Sequence, residues 1–62
     1  MQYSLRELRA RMNWTQAQTA EKLGISYQTY NAWEKDLSNV KISKVISIAN
    51  LFGVRLEEIK TS

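Results

Sequence analysis

TQAQTAEKLGISYQTYNAWEK, residues Thr15 to Lys35, holds two helix starts and a tight turn between them, and the rest of the chain reads as support for it. The Thr15 hydroxyl can accept a hydrogen bond from a backbone N–H, and Gln18, three residues on, can reach back to the N–H of Thr15. A helix therefore begins here. Ala17, Ala20 and Leu23 recur at three-residue spacing and predict its narrow apolar face. Gly24 follows as the left-handed stop that a residue without Cβ adopts at least cost. Ile25 turns inward, Ser26 caps a second helix over Tyr27 to Lys35, and Tyr30, Trp33 and Leu37 mark its buried stripe. Its other face carries Tyr27, Gln28, Asn31 and Ala32.

A small residue at Ala20 and a glycine four positions later suit two short helices crossing steeply, the arrangement of a helix-turn-helix. An ordinary helical hairpin fits less well, since such short helices bury too little against each other.

The run Thr15-Gln16, Ala20, Leu23-Gly24-Ile25-Ser26, Trp33-Glu34, then Ile48-Ala49 and Phe52-Gly53-Val54, resembles the Cro and phage-repressor class of helix-turn-helix regulators, the XRE-like family. The resemblance covers nearly the whole chain. It departs from the usual pattern at Thr19 (leucine is commoner), Tyr30 (isoleucine or valine), Asn13 (glycine) and Asp36 (glycine). Asn and Asp enter the left-handed region more readily than other non-glycine residues, so the last two are mild in backbone terms.

Before this unit, Ser4 and Glu7 form an S-x-x-E capping box for a helix from Leu5 to Met12, with Leu5, Leu8 and Met12 inward and Tyr3 as a staple on Leu8. Asn13 reads as its left-handed stop and Trp14 as a partly buried cover. After it, DLSNVK from Asp36 to Lys41 is a loop rich in turn formers. Ile42 to Phe52 forms a further helix with Ile42, Val45, Ile48, Ala49 and Phe52 inward, stopped at Gly53. A short last helix spans Leu56 to Ile59, with Val54 and Ile59 as its staple, Arg55 as a poor cap, and Glu57 and Glu58 in its first turn. The expected architecture is all-α, a compact five-helix bundle like that of the lambda repressor, in one domain over residues 1–62.

Sixty-two residues give room for one small core. There is no cysteine or histidine, no metal-ligand cluster and no carboxylate pair with plausible partners, so neither catalysis nor a cofactor is expected. No apolar run approaches the roughly 20 residues of a membrane span, and no signal peptide opens the chain. The expectation is a soluble, cytoplasmic, self-standing module without a small-molecule ligand. Net charge is +3, and all of the excess lies in the first 44 residues, where seven basic residues face four acidic ones. A modest basic excess around a helix-turn-helix suits a polyanionic partner.

That partner is expected to be duplex DNA, with the helix from Tyr27 in the major groove. Gln28 can pair with the N6 and N7 edge of adenine, Tyr27 and Ala32 can meet a thymine methyl, and Asn31 can read adenine or bond a phosphate. The resemblance implies base contacts at the same helix positions. Gln16, Ser26, Thr29, Lys35, Asn39, Lys41 and Lys44 are candidate phosphate contacts, Gln16 because its family counterpart bonds the backbone. Lys22 and Arg6 read as surface charges that serve solubility. The resemblance further implies an Arg9–Glu34 ion pair joining the first helix to the recognition helix. It implies a homodimer on a two-fold-related operator as well, with Val54, Leu56 and Ile59 as candidate dimer contacts, and a phage or prophage repressor in a bacterium, associated with the nucleoid. The competing reading is a protein-interaction module, an antitoxin or adaptor on the same fold.

Overall fold

A computed structural model describes residues 1–61. Four α-helices follow one another: α1 (Leu5–Met12), α2 (Gln16–Leu23), α3 (Tyr27–Lys35) and α4 (Ile42–Phe52), and a single 3-10 turn, η1, spans Leu56–Glu58. The expected fifth helix is therefore that turn. Arg55 has no side-chain acceptor with which to cap it. Glu58 does the capping in reverse, its carboxylate accepting the Arg55 N–H at 2.9 Å, and Ile59 is already extended.

The caps set the other boundaries. Ser4 and Glu7 close a reciprocal box at the start of α1, and Thr15 and Gln18 do the same for α2, each with two hydrogen bonds between 2.8 and 3.1 Å. The Ser26 hydroxyl oxygen accepts the Thr29 N–H at 3.1 Å to start α3. Asn13, Gly24 and Gly53 end α1, α2 and α4 in the left-handed conformation, with φ of 59°, 70° and 68°. Asp36 does not follow them. Its φ of −162° is extended, its carboxylate accepts the Ser38 N–H at 2.9 Å, and the chain leaves α3 in a direction that buries Leu37 in the core.

Leu5, Leu8, Ala20, Tyr30, Leu37, Val45, Ile48, Ala49 and Ile59 make the core, with Tyr3, Leu23, Ile25, Trp33, Val40, Phe52 and Val54 packed around it. Three inward assignments from periodicity are corrected. Met12 is 42% and Ile42 62% exposed, because each lies on the terminal turn of its helix, where no neighbouring element covers it. In α2 the helix is rotated so that Thr19, fully buried, replaces Ala17, which is exposed. The Thr19 hydroxyl donates to the Thr15 carbonyl at 2.9 Å, so its burial leaves no polar atom unpaired.

The two ends of the chain hold each other. The Tyr3 N–H donates to the Glu58 carbonyl at 2.7 Å and the Lys60 N–H to the Tyr3 carbonyl at 2.8 Å, a short parallel pairing. Ile59, between these two bonds, is buried in the core. The partly buried Trp14 packs its ring 5.7 Å from that of Phe52. Among the described residues, no helix is long and apolar enough to cross a membrane.

Candidate nucleic-acid interface

The N-termini of α2 and α3 meet through side chains rather than through backbone alone. Gln16, the first residue of α2, donates from Nε2 to Glu34 Oε1 at 2.8 Å. Its Oε1 accepts the Tyr27 hydroxyl at 3.1 Å and the Asn31 amide at 3.4 Å. One α2 side chain is thus tied to the first, second and last turns of α3. This amide therefore ties the two helices together in addition to the core to which Ala20 of α2 and Tyr30 of α3 both belong.

Glu34 is the centre of the inner half of the site. Its side chain is only 8% exposed, and Oε2 accepts from Arg9 Nε at 2.6 Å and from the Tyr30 hydroxyl at 2.7 Å. Burial raises the Glu34 carboxyl, but the donors on Arg9, Tyr30 and Gln16 outweigh it and hold the group below the usual carboxylate range. Burial, then the neighbouring Glu34 carboxylate, push the Tyr30 phenol well above its ordinary value. The Arg9 guanidinium also donates to the Trp14 carbonyl at 3.0 Å, which ties the α1–α2 loop to the same cluster. No buried side-chain polar atom among the described residues is left without a partner.

The outer half is open. Tyr27 is 49% exposed, Gln28 and Ala32 are exposed and Asn31 is half-buried. Because its hydroxyl is turned back to Gln16, Tyr27 offers mainly its ring to a partner. Asn31 gives one amide hydrogen to Gln16 and keeps a carbonyl and a second hydrogen. Gln28 has no side-chain partner among the described residues, and it is exposed. Ser26 and Thr29 are bonded hydroxyl to hydroxyl at 2.9 Å on the exposed first turn of α3. Lys35 is exposed at its last turn. Asn39, Lys41 and Lys44 are exposed in the loop and first turn beyond, and Lys41 occupies the cap position of α4 without a side-chain cap bond.

The helix starts divide by charge. Glu7 stands in the first turn of α1, and Glu57 and Glu58 stand in η1, whereas α2, α3 and α4 have no acidic residue in their first turns. A helix start carries partial positive charge that a carboxylate would neutralise. In α4, Lys41 and Lys44 add to that charge instead.

The sequence reading missed the Tyr30 hydroxyl, assigned simply to an apolar stripe, and the inward side of Gln16. The signal for the first was a phenol where the family usually has an aliphatic residue, because a buried phenol needs an acceptor. Of the candidate dimer contacts, Leu56 is exposed and Val54 half-buried, while Ile59 is 2% exposed and belongs to the core.

The family profile described as Helix-turn-helix matches residues 5–59. The chain is 41% identical over 59 residues to an uncharacterized HTH-type transcriptional regulator of the archaeon Methanocaldococcus jannaschii, covering 95% of this chain and 89% of that protein. No solved structure matches.

Proposed function

The chain belongs to the helix-turn-helix family, and from that premise we propose that it is a transcriptional regulator that reads duplex DNA in the major groove with α3. One observation carries the reading. The polar groups between α1, α2 and α3 satisfy one another, and the amide of Gln28, the ring of Tyr27 and the remaining valences of Asn31 are left facing outward on one helix. Gln28 is the principal base reader, pairing with the N6 and N7 edge of adenine. Tyr27 and Ala32 meet thymine methyl groups, and Asn31 reads the neighbouring pair. Gln16 keeps a second amide hydrogen for a phosphate oxygen. With Ser26, Thr29, Lys35, Asn39, Lys41 and Lys44 it positions the helix along the backbone.

One domain of this size buries too little surface for tight specific binding, so the protein acts as a homodimer on a two-fold-related site with half-sites about one helical turn, roughly 10 base pairs, apart. Leu56 takes part in the dimer contact. Ile42, which lines the same shallow groove, and Ile46, 44% exposed one turn along α4, extend the apolar area available to it. Repression in a phage or prophage setting accords with the resemblance to phage repressors.

The test is selection of bound duplexes from a random pool at near-physiological salt. An enriched motif with two-fold symmetry is expected. Absence of enrichment would reject base reading and turn the search to a protein partner.

A further inference from the structure

The cations of the first 44 residues fall into two groups. Arg9 is paired with Glu34. Arg11 lies over the Tyr3 ring at 4.2 Å and Lys22 over the Trp14 ring at 4.7 Å, so both are held by the fold. Arg6, Lys35, Lys41 and Lys44 have no ion pair and no ring contact among the described residues. Three of these four were expected at the DNA backbone from sequence. The fourth, Arg6, was not.

Arg6 is also in the right company. It lines an open cleft between α1 and α3 together with Arg9, Gln16, Asn31, Glu34 and Lys35. Among the described residues Glu34 is the one carboxylate on these walls, and its charge is compensated by Arg9, with its oxygens taken by Arg9, Tyr30 and Gln16. Glu7, beside Arg6 in sequence, is turned to the Ser4 N–H at 2.8 Å and lies in the field of Lys60 and Arg11. The cleft therefore presents two cations without an ion pair among the described residues, Arg6 and Lys35, one on each wall, around the amides of Asn31 and Gln16. A guanidinium and an ammonium converging on amide donors suit a phosphodiester, which carries one charge and several acceptor oxygens.

We propose that this cleft is a phosphate-anchoring site on duplex DNA, with Arg6 as its principal donor, so that α1 takes part in the interface alongside α2, α3 and the loop before α4. The proposal rests on the DNA-binding reading above. Arg6 acts on backbone only and adds affinity without sequence preference.

The experiment is to titrate the full chain, Arg6→Gln, Arg6→Lys and Arg55→Gln with an enriched duplex and a scrambled duplex over a range of salt. Arg55, on the C-terminal turn, does not line the cleft. Arg6→Gln is expected to lower the slope of log affinity against log salt by about 0.9, which corresponds to about fivefold weaker binding at 0.15 M salt. The loss is equal on both duplexes. Arg6→Lys restores the slope, Arg55→Gln leaves it unchanged, and thermal unfolding of all four proteins coincides. If the parent protein binds with a clear salt slope and Arg6→Gln changes neither slope nor affinity, the cleft site is wrong while DNA binding stands. If Arg6→Gln loses affinity on the enriched duplex alone, Arg6 reads bases and the backbone assignment is wrong. If the parent protein binds neither duplex, DNA binding itself fails and the cleft site with it. Binding of inorganic phosphate that Arg6→Gln abolishes, without any effect on duplex affinity, would make the cleft a free-anion site and overturn the assignment to DNA.

Discussion

The two sides of α3 use polar residues in opposite ways. On the inner side, Glu34 accepts three side-chain hydrogen bonds between 2.6 and 2.8 Å, from Arg9, Tyr30 and Gln16. On the outer side, Gln28, Lys35 and, across the cleft, Arg6 have no side-chain partner among the described residues. A buried carboxylate cannot give up its donors cheaply, since desolvation then acts against an uncompensated charge. An exposed amide or ammonium is hydrated at no structural cost and can exchange water for a partner. The contrast separates polar groups engaged in holding the helix from polar groups left open to a partner. The helix starts repeat the distinction: α1 and η1 carry their own glutamates, and α2, α3 and α4 do not.

The sharpest way to break this comparison is Glu34→Ala. It strands the Arg9 guanidinium, whose side chain is 19% exposed, together with the Tyr30 hydroxyl, and it is expected to cost about 3–5 kcal/mol in urea unfolding. A loss below about 1 kcal/mol would mean that the inner cluster is not the structural half. Tyr30→Phe keeps the ring and removes one charge-assisted bond, for an expected loss of about 1.5–3 kcal/mol. Gln28→Ala, by contrast, is expected to leave stability within about 0.5 kcal/mol of the parent.

The same cluster fixes the pH behaviour. The Glu34 carboxyl is depressed in the folded protein, so its stabilisation is present above its ordinary value of 4.5 and is lost as pH falls through the lower folded value. The Tyr30 phenol is raised, so its contribution is complete below its ordinary value of 10.0 and is lost as pH rises above it. Unfolding monitored against pH should therefore lose its acid limb in part in Glu34→Gln and its alkaline limb in part in Tyr30→Phe. The smallest effect is on the rim. Lys44→Ala should leave stability unchanged, weaken enriched and scrambled duplexes alike, and lower the salt slope by about 0.9.

Helix boundaries were legible in the sequence because caps are local chemistry. Ser4, Thr15 and Ser26 each bond a backbone N–H three residues away, and Asn13, Gly24 and Gly53 each stop a helix within one turn. What lay beyond reach depended on contacts between distant segments. The rotation that buries Thr19 and exposes Ala17 is set by neighbouring helices, and apolarity alone favoured the alanine. The pairing of Tyr3 with Glu58 and Lys60 joins the two ends of the chain and has no local signature. On the outer face, sequence pointed to Tyr27, Gln28, Asn31 and Ala32 as a group. It did not reveal that Tyr27 and Asn31 are tied back to Gln16 while Gln28 is not. That difference makes Gln28 the residue whose substitution tests the proposed base reading most cleanly.

The most direct measurement is the ratio of affinities for an enriched and a scrambled duplex, compared between the parent protein and Gln28→Ala at fixed salt. A bidentate amide–adenine pair predicts that the ratio falls by about 1–3 kcal/mol, chiefly through weaker binding of the enriched duplex. Equal loss on both duplexes, or no loss on either, would contradict reading of DNA by the outer face of α3.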